Sequence, residues 1–312
     1  MPLQKGGTQP ATSHCHHMPL SNTQRTLYLI EKAGFGLEIG ASYRPVAAKR
    51  AGWNVEVADH APAEELREKY AAWGVDGSLI EEVDHIVDNQ GLFAAVKKES
   101  HFDFIVASHV IEHVPNPVQF LIDCQRLLKE GGILSLVVPD KRFCFDILKP
   151  ISTTGEFLQA YLDRRTKHSP GTIFDAYALH AKKGDLIVWP GDGSASGLSF
   201  GHSVREAKAL MDEFIETGRF VDVHAWQFVP ESFKMIVGDL VELEMLYLEP
   251  AAFFDTVDHQ FHISLRKSKD AKQGWKEPRL KLAKRAMANP RGSYASRLRG
   301  IFTRLKRRMA KR

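Results

Sequence analysis

The sequence predicts an α/β fold: a doubly wound, mostly parallel, seven-stranded sheet with helices on both faces and a helical lid insertion. Two observations support this prediction. Five short apolar runs alternate with helical segments between residues 26 and 140, and two more runs follow a long helical stretch. Short apolar runs separated by helices are typical of parallel strands that are covered on both faces.

The first five runs each end where a glycine, a polar residue or a proline interrupts them. The predicted strands are FGLEI at 35–39, NVEVA at 54–58, LIEEV at 79–83, DFIVA at 103–107 and ILSLVV at 133–138. The clearest helix between them is predicted at 117–129, because its apolar residues recur at helical spacing and Gly131 and Gly132 follow it.

Residues 141–220 are predicted to form the helical insertion. Two capping boxes, Thr153 with Glu156 and Ser203 with Glu206, predict where two of its helices begin. After the insertion a short helix is expected from Pro230, and strands at 241–248 and 259–265 are expected to complete the sheet.

The composition of the chain excludes several classes of protein. With 312 residues and no run of about 18 consecutive apolar residues, it is not expected to cross a membrane. Its 3 cysteines are too few and too scattered for a disulfide framework, and the first residues lack the apolar core of a secretion signal. We therefore expect a cytoplasmic protein.

The ends of the chain differ from the domain that we place at residues 26–266. Residues 1–25 are polar and without periodicity, which predicts a flexible leader. The run HCHH at 14–17 has ligand types for a soft metal, but no second ligand cluster lies nearby, so no metal site is expected.

Residues 267–312 form a basic tail, with 17 Lys and Arg against two acidic residues. Its apolar side chains recur at helical spacing between cations, which is typical of a helix at an anionic membrane surface. A disordered solubilising tail and a nucleic-acid arm are the alternatives. The apolar stripe comprises Tyr294, Leu298, Ile301, Phe302, Leu305 and Met309.

Acidic residues and a glycine stand at the ends of the first two predicted strands. Open α/β sheets bind their ligands beyond the carboxyl ends of the strands. Glu38 and Gly40 end the first strand, and Asp59 ends the second, where a carboxylate can accept hydrogen bonds from both ribose hydroxyls. A dinucleotide would need G-x-G-x-x-G, whereas the turn reads GASYRP at 40–45, so the ligand is predicted to be a nucleoside without phosphates.

Three segments in this order resemble class I S-adenosylmethionine-dependent methyltransferases of the type 11 group. They are FGLEIGAS at 35–42, FDFIVASHVIEHVPNP at 102–117 and LLKEGGILSLVVP at 127–139. The resemblance implies a Rossmann-like fold and S-adenosylmethionine as the cofactor. The sequence departs from the family pattern E/D-x-G-x-G-x-G at Ser42 and Arg44, which stand where glycines are usual.

The resemblance also implies roles for residues at the strand ends. Residues next to the methionine part would be Glu38, Gly40, Ala41 and Ser42. The ribose would lie at Asp59 and His60, and the adenine at Asp84 and His85. Ser108 and His109 would lie below the sulfonium.

A hydroxyl acceptor must lose its proton, and histidine suits that task near neutral pH. His109 is the first candidate, and His202, His224 and His180, in or beside the insertion, are further candidates. Glu112 and His113 are predicted to brace the turn that follows the fourth strand.

The end of the fifth strand suggests where an acceptor would enter. Lys141 and Arg142 are expected either to bind an anionic acceptor, such as a uronic acid or a phosphate-linked sugar, or to pair with Asp146 or Asp163. The segment PDKRFCFD at 139–146 resembles a subgroup of the family in cell-surface polysaccharide pathways.

These observations predict an O-methyltransferase that acts on a glycan or a small metabolite. Two alternatives remain. The altered glycine turn could indicate a methyltransferase-like binding subunit without activity. A nucleic-acid methyltransferase is disfavoured, because the fourth strand leads into SHVI at 108–111 rather than Asn/Asp-Pro-Pro-aromatic, and because residues 1–266 are acidic overall.

Overall fold

The computed structural model describes residues 19–189 and 195–288. The first helix, α1 (Asn22–Thr26), begins with a capping box formed by Ser21 and Gln24. The Thr26 carbonyl accepts a hydrogen bond of 2.5 Å from the buried Ser135 hydroxyl. The end of the predicted flexible leader is therefore a helix that packs against the sheet.

The first half of the chain alternates strands and helices, as predicted. In chain order the elements are β1 (Gly36–Ile39), β2 (Val55–Asp59), α2 (Ala63–Ala71), β3 (His85–Ile86), α3 (Leu92–Val96), β4 (Phe102–Ser108), α4 (Pro117–Leu127) and β5 (Leu128–Pro139). Short helical turns lie at Lys49–Ala51, Gly77–Leu79 and Lys141–Phe143.

Helix α4 illustrates why these segments fold as they do. The Asn116 side chain caps the helix by accepting a hydrogen bond from the Gln119 amide at 3.1 Å, and Pro117 occupies the first turn. The apolar face through Val118 and Leu121 is fully buried against the sheet. The chain then enters β5 directly after Leu127, so the helix ends before the two glycines.

The predicted strand at 79–83 is wrong. Residues Gly77–Leu79 form a helical turn, and the third strand is the two-residue β3 at His85–Ile86. The apolar pair Leu79 and Ile80 suggested a strand, but Ile80 packs in a small cluster against α2 instead.

The insertion contains α5 (Thr154–Leu162), α6 (Pro170–Ala178), β6 (Ala181–Lys183), β7 (Leu198–Phe200) and α7 (Val204–Thr217). Both predicted capping boxes are present at the starts of α5 and α7. The insertion is not purely helical, because β6 and β7 pair as a small antiparallel sheet.

The chain returns to the sheet through an extended segment at 221–229. The Ala225 amide donates to the Glu112 carbonyl at 2.8 Å, and the Lys141 amide donates to the Phe228 carbonyl at 2.9 Å. This segment is thereby held between the residues that follow β4 and β5.

Helix α8 (Pro230–Glu242) follows this segment, and the strands β8 (Leu248–Val257) and β9 (Gln260–Lys267) complete the sheet. The strand predicted at 259–265 is confirmed by β9, whereas the strand predicted at 241–248 is wrong. Val241 and Glu242 are the last residues of α8, and β8 begins only at Leu248.

The seven strands follow the order β3-β2-β1-β4-β5-β9-β8. The first five run parallel, and β9 pairs antiparallel with both β5 and β8. One face of the sheet packs in a cluster with Leu121 of α4 and Phe233 of α8, and the other packs around Phe104 and Trp53. The predicted doubly wound α/β fold is confirmed.

The predicted tail begins inside the folded part of the chain. Beyond β9, α9 (Ala271–Gly274) and α10 (Arg279–Met287) follow. The Arg279 guanidinium donates to both oxygens of Asp239 in α8, at 2.6 and 2.9 Å. The apolar stripe predicted at 294–309 lies outside the described residues, as does the run at 14–17.

No helix within residues 19–189 and 195–288 combines the length and the apolar character that crossing a bilayer requires.

Candidate functional site

A cleft of about 2010 Å³ lies at the carboxyl ends of β1, β2 and β4. One wall contains the turn after β1, the end of β2 and the residues after β4. The other wall contains side chains from the insertion and the segment that follows it. This is the edge at which open α/β sheets bind their ligands.

Gly40 and Ser42 give the turn after β1 its shape. Gly40 has φ +65°, and a Cβ placed there would lie 2.8 Å from Val110 Cγ2, so only glycine fits. Ser42 also lies in the left-handed region, with φ +48°. The backbone therefore keeps the conformation of a glycine turn although the second glycine is replaced, and the buried Ser42 hydroxyl has no partner among the described residues.

The Glu38 carboxylate fixes the chain that follows this turn. It accepts hydrogen bonds from the Val46 amide at 2.6 Å and from the Ala47 amide at 2.8 Å. Burial raises the pKa of Glu38 to about 7 in spite of these two donors. Glu38 lines the cleft and also fixes the loop that forms its floor.

Asp59 lies at the end of β2 and lines the cleft, as predicted. Its Oδ1 atom accepts from the backbone amide of His60 at 2.7 Å and lies 2.6 Å from His60 Nδ1. Its buried Oδ2 atom has no partner among the described residues. An unpaired carboxylate oxygen at this strand end fits a ribose hydroxyl, and with the glycine-shaped turn it makes the cleft suitable for a nucleoside cofactor.

Asp84 and His85, the residues expected beside the adenine, do not line the cleft. Asp84 precedes β3 and binds Lys49 Nζ at 2.5 Å and the Val57 amide at 2.7 Å. His85 Nε2 lies 2.7 Å from Glu56 Oε2, and neither residue lines the cleft. The polar side chains that line it directly after β3 belong to Asp88, Asn89 and Gln90.

Ser108 and His109 both line the cleft after β4. His109 has φ +55°. Its Nε2 atom lies 2.7 Å from Gln260 Oε1, and its Nδ1 atom makes an ion-pair contact of 3.3 Å, not a hydrogen bond, with Glu112 Oε1. Burial disfavours its charged form, but the neighbouring Glu112 carboxylate outweighs this effect and raises the pKa of His109. In this arrangement His109 holds Glu112 rather than offering an unoccupied nitrogen to an acceptor.

His224 lies beside the residues that follow β4 and is oriented by a buried carboxylate. Its Nδ1 atom lies 2.6 Å from Asp146 Oδ2, and Lys149 Nζ lies 2.7 Å from Asp146 Oδ1. Burial would raise the pKa of Asp146, but His224 and Lys149 hold it well below its usual range. The Nδ1 contact fixes the orientation of the imidazole and leaves Nε2 for other contacts.

Aromatic and histidine rings form a row along the insertion wall. Phe145 lies 4.6 Å from the His224 ring and stacks on His180 at 4.8 Å and 13°. His180 lies 5.2 Å from His202, whose ring is 4.7 Å from that of Tyr177. We call these five side chains the ring row. The ring row includes His202 and His224, two of the histidines predicted as candidate bases.

The sequence placed Glu112 and His113 on the turn after the fourth strand but did not indicate that they approach His224. Glu112 is fully buried, and neither carboxylate oxygen has a hydrogen-bond partner among the described residues. His113 Nδ1 lies 2.8 Å from Asp222 Oδ1, and the His113 ring lies 4.6 Å from that of His224. The only feature of the sequence that could have indicated this group is the adjacent Glu and His after β4. Their approach to His224 depends on the path of segment 221–229, which the sequence does not show.

Lys141 and Arg142 were expected either to bind an anionic acceptor or to pair with Asp146 or Asp163, and their side chains have other partners. The Arg142 guanidinium pairs with the buried Asp140, and Lys141 Nζ donates to the Ile147 carbonyl at 2.7 Å. Neither residue lines the cleft. The cations that line it are Arg44, Lys69, Lys149, Arg164 and Arg165.

The chain is similar to known methyltransferases. A family model described as a methyltransferase domain matches residues 14–187, more than half of the chain. A ubiquinone biosynthesis O-methyltransferase from Maricaulis maris is 50% identical over 36 residues, which are 12% of this chain and 14% of that protein. One from Xanthomonas oryzae pv. oryzae is 30% identical over 140 residues, 45% of this chain and 52% of that protein. The chain thus spans about half or less of the length of these relatives.

Among solved structures, a SAM-dependent methyltransferase from Methanosarcina mazei has 14% sequence identity and a TM-score of 0.39. The match covers 80% of this chain and 99% of that one.

Proposed function

The chain belongs to the family of methyltransferase domains and uses S-adenosylmethionine as its cofactor, and we propose that it methylates a hydroxyl group of a small ring-bearing molecule or glycan. The observation that carries this proposal is the group formed by Glu112, His113 and His224. It lies beside Val110, which packs against Gly40 in the cofactor turn. Proton-accepting groups thus adjoin the end of the cleft where a methyl group would be delivered.

Methylation of a hydroxyl is favoured by groups that accept its proton. S-adenosylmethionine supplies an electrophilic methyl group on a sulfonium, and the new O–C bond forms as the C–S bond breaks, leaving S-adenosylhomocysteine and one proton. A neutral hydroxyl is a poor nucleophile, so removing its proton favours the displacement. His113 and His224 are placed to accept this proton, and the Glu112 carboxylate beside them would stabilise the imidazolium that results.

The ring row supports an acceptor that contains a ring. Side chains of Phe145, Tyr177 and His180 offer flat surfaces against which a sugar or an aromatic ring can pack. The name of the curated relatives, ubiquinone biosynthesis O-methyltransferase, favours O-methylation, and the resemblance of segment 139–146 favours a glycan acceptor. Arg44 and Arg164 at the cleft suit an acceptor with negative charge.

The first experiment is calorimetric titration of the purified chain with S-adenosylmethionine and with S-adenosylhomocysteine. We expect binding that Asp59→Asn weakens at least tenfold, because the ribose loses a charged acceptor. Glu82→Gln, an exposed residue outside the cleft, is the matched control. A folded chain that binds neither compound would favour the methyltransferase-like binding subunit.

The second experiment supplies methyl-labelled cofactor with a panel of sugars, uronic acids, catechols and amines. We expect label on an oxygen of a ring-bearing acceptor, and a loss of turnover in Phe145→Ala with cofactor affinity retained. Label found only on nitrogen or carbon would contradict the proposed O-methylation.

A further inference from the structure

Glu112 is a buried carboxylate that lacks the partners such a group needs. Its side chain is fully buried, and neither oxygen has a hydrogen-bond partner among the described residues. Isolating a carboxylate from water without compensating contacts costs several kcal/mol, so such groups usually bind a cation or a hydrogen-bond donor. The nearest nitrogen contact is His109 Nδ1 at 3.3 Å from Oε1, and it leaves Oε2 without a partner.

Two histidines face this carboxylate, and each is oriented by a carboxylate of its own. His224 Nδ1 lies 2.6 Å from Asp146 Oδ2, and His113 Nδ1 lies 2.8 Å from Asp222 Oδ1. A histidine that donates through Nδ1 to a carboxylate presents the lone pair of Nε2. This carboxylate–histidine arrangement is the usual support of a metal ligand.

The distances between the candidate ligand atoms also suit a shared metal cation. Glu112, His113 and His224 each offer a ligand atom, and these atoms lie within 4.8 Å of one another. The Nε2 atom of His113 is 3.9 Å from Glu112 Oε1. Bonds of about 2.0–2.2 Å to a shared cation would bring the ligand atoms to about 3.5 Å apart, which small side-chain rotations achieve.

We infer that Glu112, His113 and His224 form a binding site for a divalent transition-metal cation, with Zn²⁺ as the best fit. Two imidazoles and one carboxylate are a common ligand set of catalytic zinc, which keeps a further position open. Mg²⁺ fits less well, since it prefers oxygen ligands. Because both histidines and His109 line the cleft, the open position faces the space that an acceptor would fill.

Such a cation would determine which acceptor atom is methylated, a consequence that rests on the proposed function. A hydroxyl bound to the cation loses its proton to solvent water more readily, and the resulting oxygen anion is held beside the cofactor end of the cleft. His109 and Gln260 then act as positioning residues, since His109 lies against Glu112 Oε1 and is itself held by Gln260 at 2.7 Å.

The test measures metal binding directly and without turnover. The full chain carries His14, Cys15, His16 and His17, which could bind metal by themselves, so all four are replaced by alanine in every variant and no polyhistidine tag is used. After dialysis against a chelator, Zn²⁺ and Mn²⁺ are titrated by calorimetry in competition with a weak chelator. We expect one Zn²⁺ per chain.

Three groups of variants localise the site. His113→Ala and His224→Ala are each expected to lower Zn²⁺ affinity at least 100-fold, and Glu112→Gln likewise. Asp222→Asn, which alters the support of His113 and a 3.6 Å contact with Lys69 but no proposed ligand, should lower the affinity 10- to 100-fold. His180→Ala and His202→Ala, which remove histidines from the same cleft, should leave the affinity unchanged. Circular dichroism and titration with S-adenosylhomocysteine verify that each variant is folded.

The outcomes separate the metal site from the proposed function. No stoichiometric Zn²⁺ binding, or binding that persists in both His113→Ala and His224→Ala, overturns the site even if methyl transfer occurs. Asp222→Asn serves where Glu112→Gln fails to fold, because Asp222 is half exposed. Stoichiometric binding that depends on both histidines supports the site even if no hydroxyl acceptor is found.

Discussion

The buried carboxylate of Asp140 and the guanidinium of Arg142 form a three-contact ion pair directly after β5. Arg142 Nε donates to Oδ1 at 2.8 Å and to Oδ2 at 3.1 Å, and Nη2 donates to Oδ2 at 2.5 Å. Thr256 in β8 donates to Oδ2 at 2.6 Å. The start of the insertion is thereby fastened to the far edge of the sheet, and Arg142 has a structural role.

Arg142→Ala is expected to lower the free energy of unfolding by about 3–5 kcal/mol, because the charge of Asp140 would remain buried without its partner. Cofactor affinity should change little, since Arg142 does not line the cleft. Urea unfolding measures the first effect. The matched control is Arg165→Ala, whose pair with Asp163 is more exposed, so a loss below about 1 kcal/mol is expected there. Equal losses in the two variants would contradict this interpretation.

Ser42→Gly is expected to raise the free energy of unfolding by about 1 kcal/mol. Ser42 has φ +48°, a conformation that costs a side-chain-bearing residue about 1–2 kcal/mol and costs glycine little. Ala41→Gly is the control: its φ is not positive, so glycine there should destabilise the protein by up to about 1 kcal/mol. Thermal unfolding of the three proteins compares them, and a Ser42→Gly variant less stable than the parent would refute the expectation.

Glu38 is expected to make stability depend on pH between about 5 and 8. Burial raises its pKa from 4.5 to about 7, so the folded protein binds the proton more tightly than the unfolded chain does. Its contribution to stability is therefore fully present below pH 4.5 and is lost as the pH rises through 7. The shift corresponds to about 3 kcal/mol.

Glu38→Gln removes this titration. Free energies of unfolding measured from pH 5 to pH 8 should fall in the parent relative to the variant by up to about 3 kcal/mol. A difference between the two proteins that does not vary with pH would show that Glu38 does not titrate in this range.

Asp88 is expected to contribute to cofactor binding, whereas Asp84 is not. Asp88 follows β3 and lines the cleft, while Asp84 precedes the strand and binds Lys49 and the Val57 amide. Loss of one hydrogen bond to a charged acceptor predicts about 10-fold weaker binding of S-adenosylmethionine in Asp88→Ala. Asp84→Ala should bind as the parent does, and the reverse result in calorimetry would restore the position predicted from the sequence.

The sequence predicted the central strands well because each is an apolar run buried on both faces, as Leu37 and Ile105 show. It failed at β3, which has only two residues, and the residues expected there beside the cofactor, Asp84 and His85, lie before those that line the cleft. At 241–248 the alternation of VELEMLYL suggested a strand, yet Val241 is part of the buried face of α8.

The candidate site was predictable where it depends on strand ends and unpredictable where it depends on tertiary contacts. Asp59 and Gly40 could be placed because carboxyl ends of parallel strands meet at one edge. The contact of His224 with Asp146 joins residues 78 positions apart in the sequence. No spacing rule relates such residues, since the path of the insertion between them decides whether they meet.

The two walls of the cleft come from separate stretches of the chain. Most lining residues lie within 38–120, which includes the proposed cofactor contacts, or within 145–224. On the proposed function, exchange of residues 143–224 with those of a relative is expected to change the acceptor contacts that this stretch supplies, while residues 38–59 keep those proposed for the methyl donor.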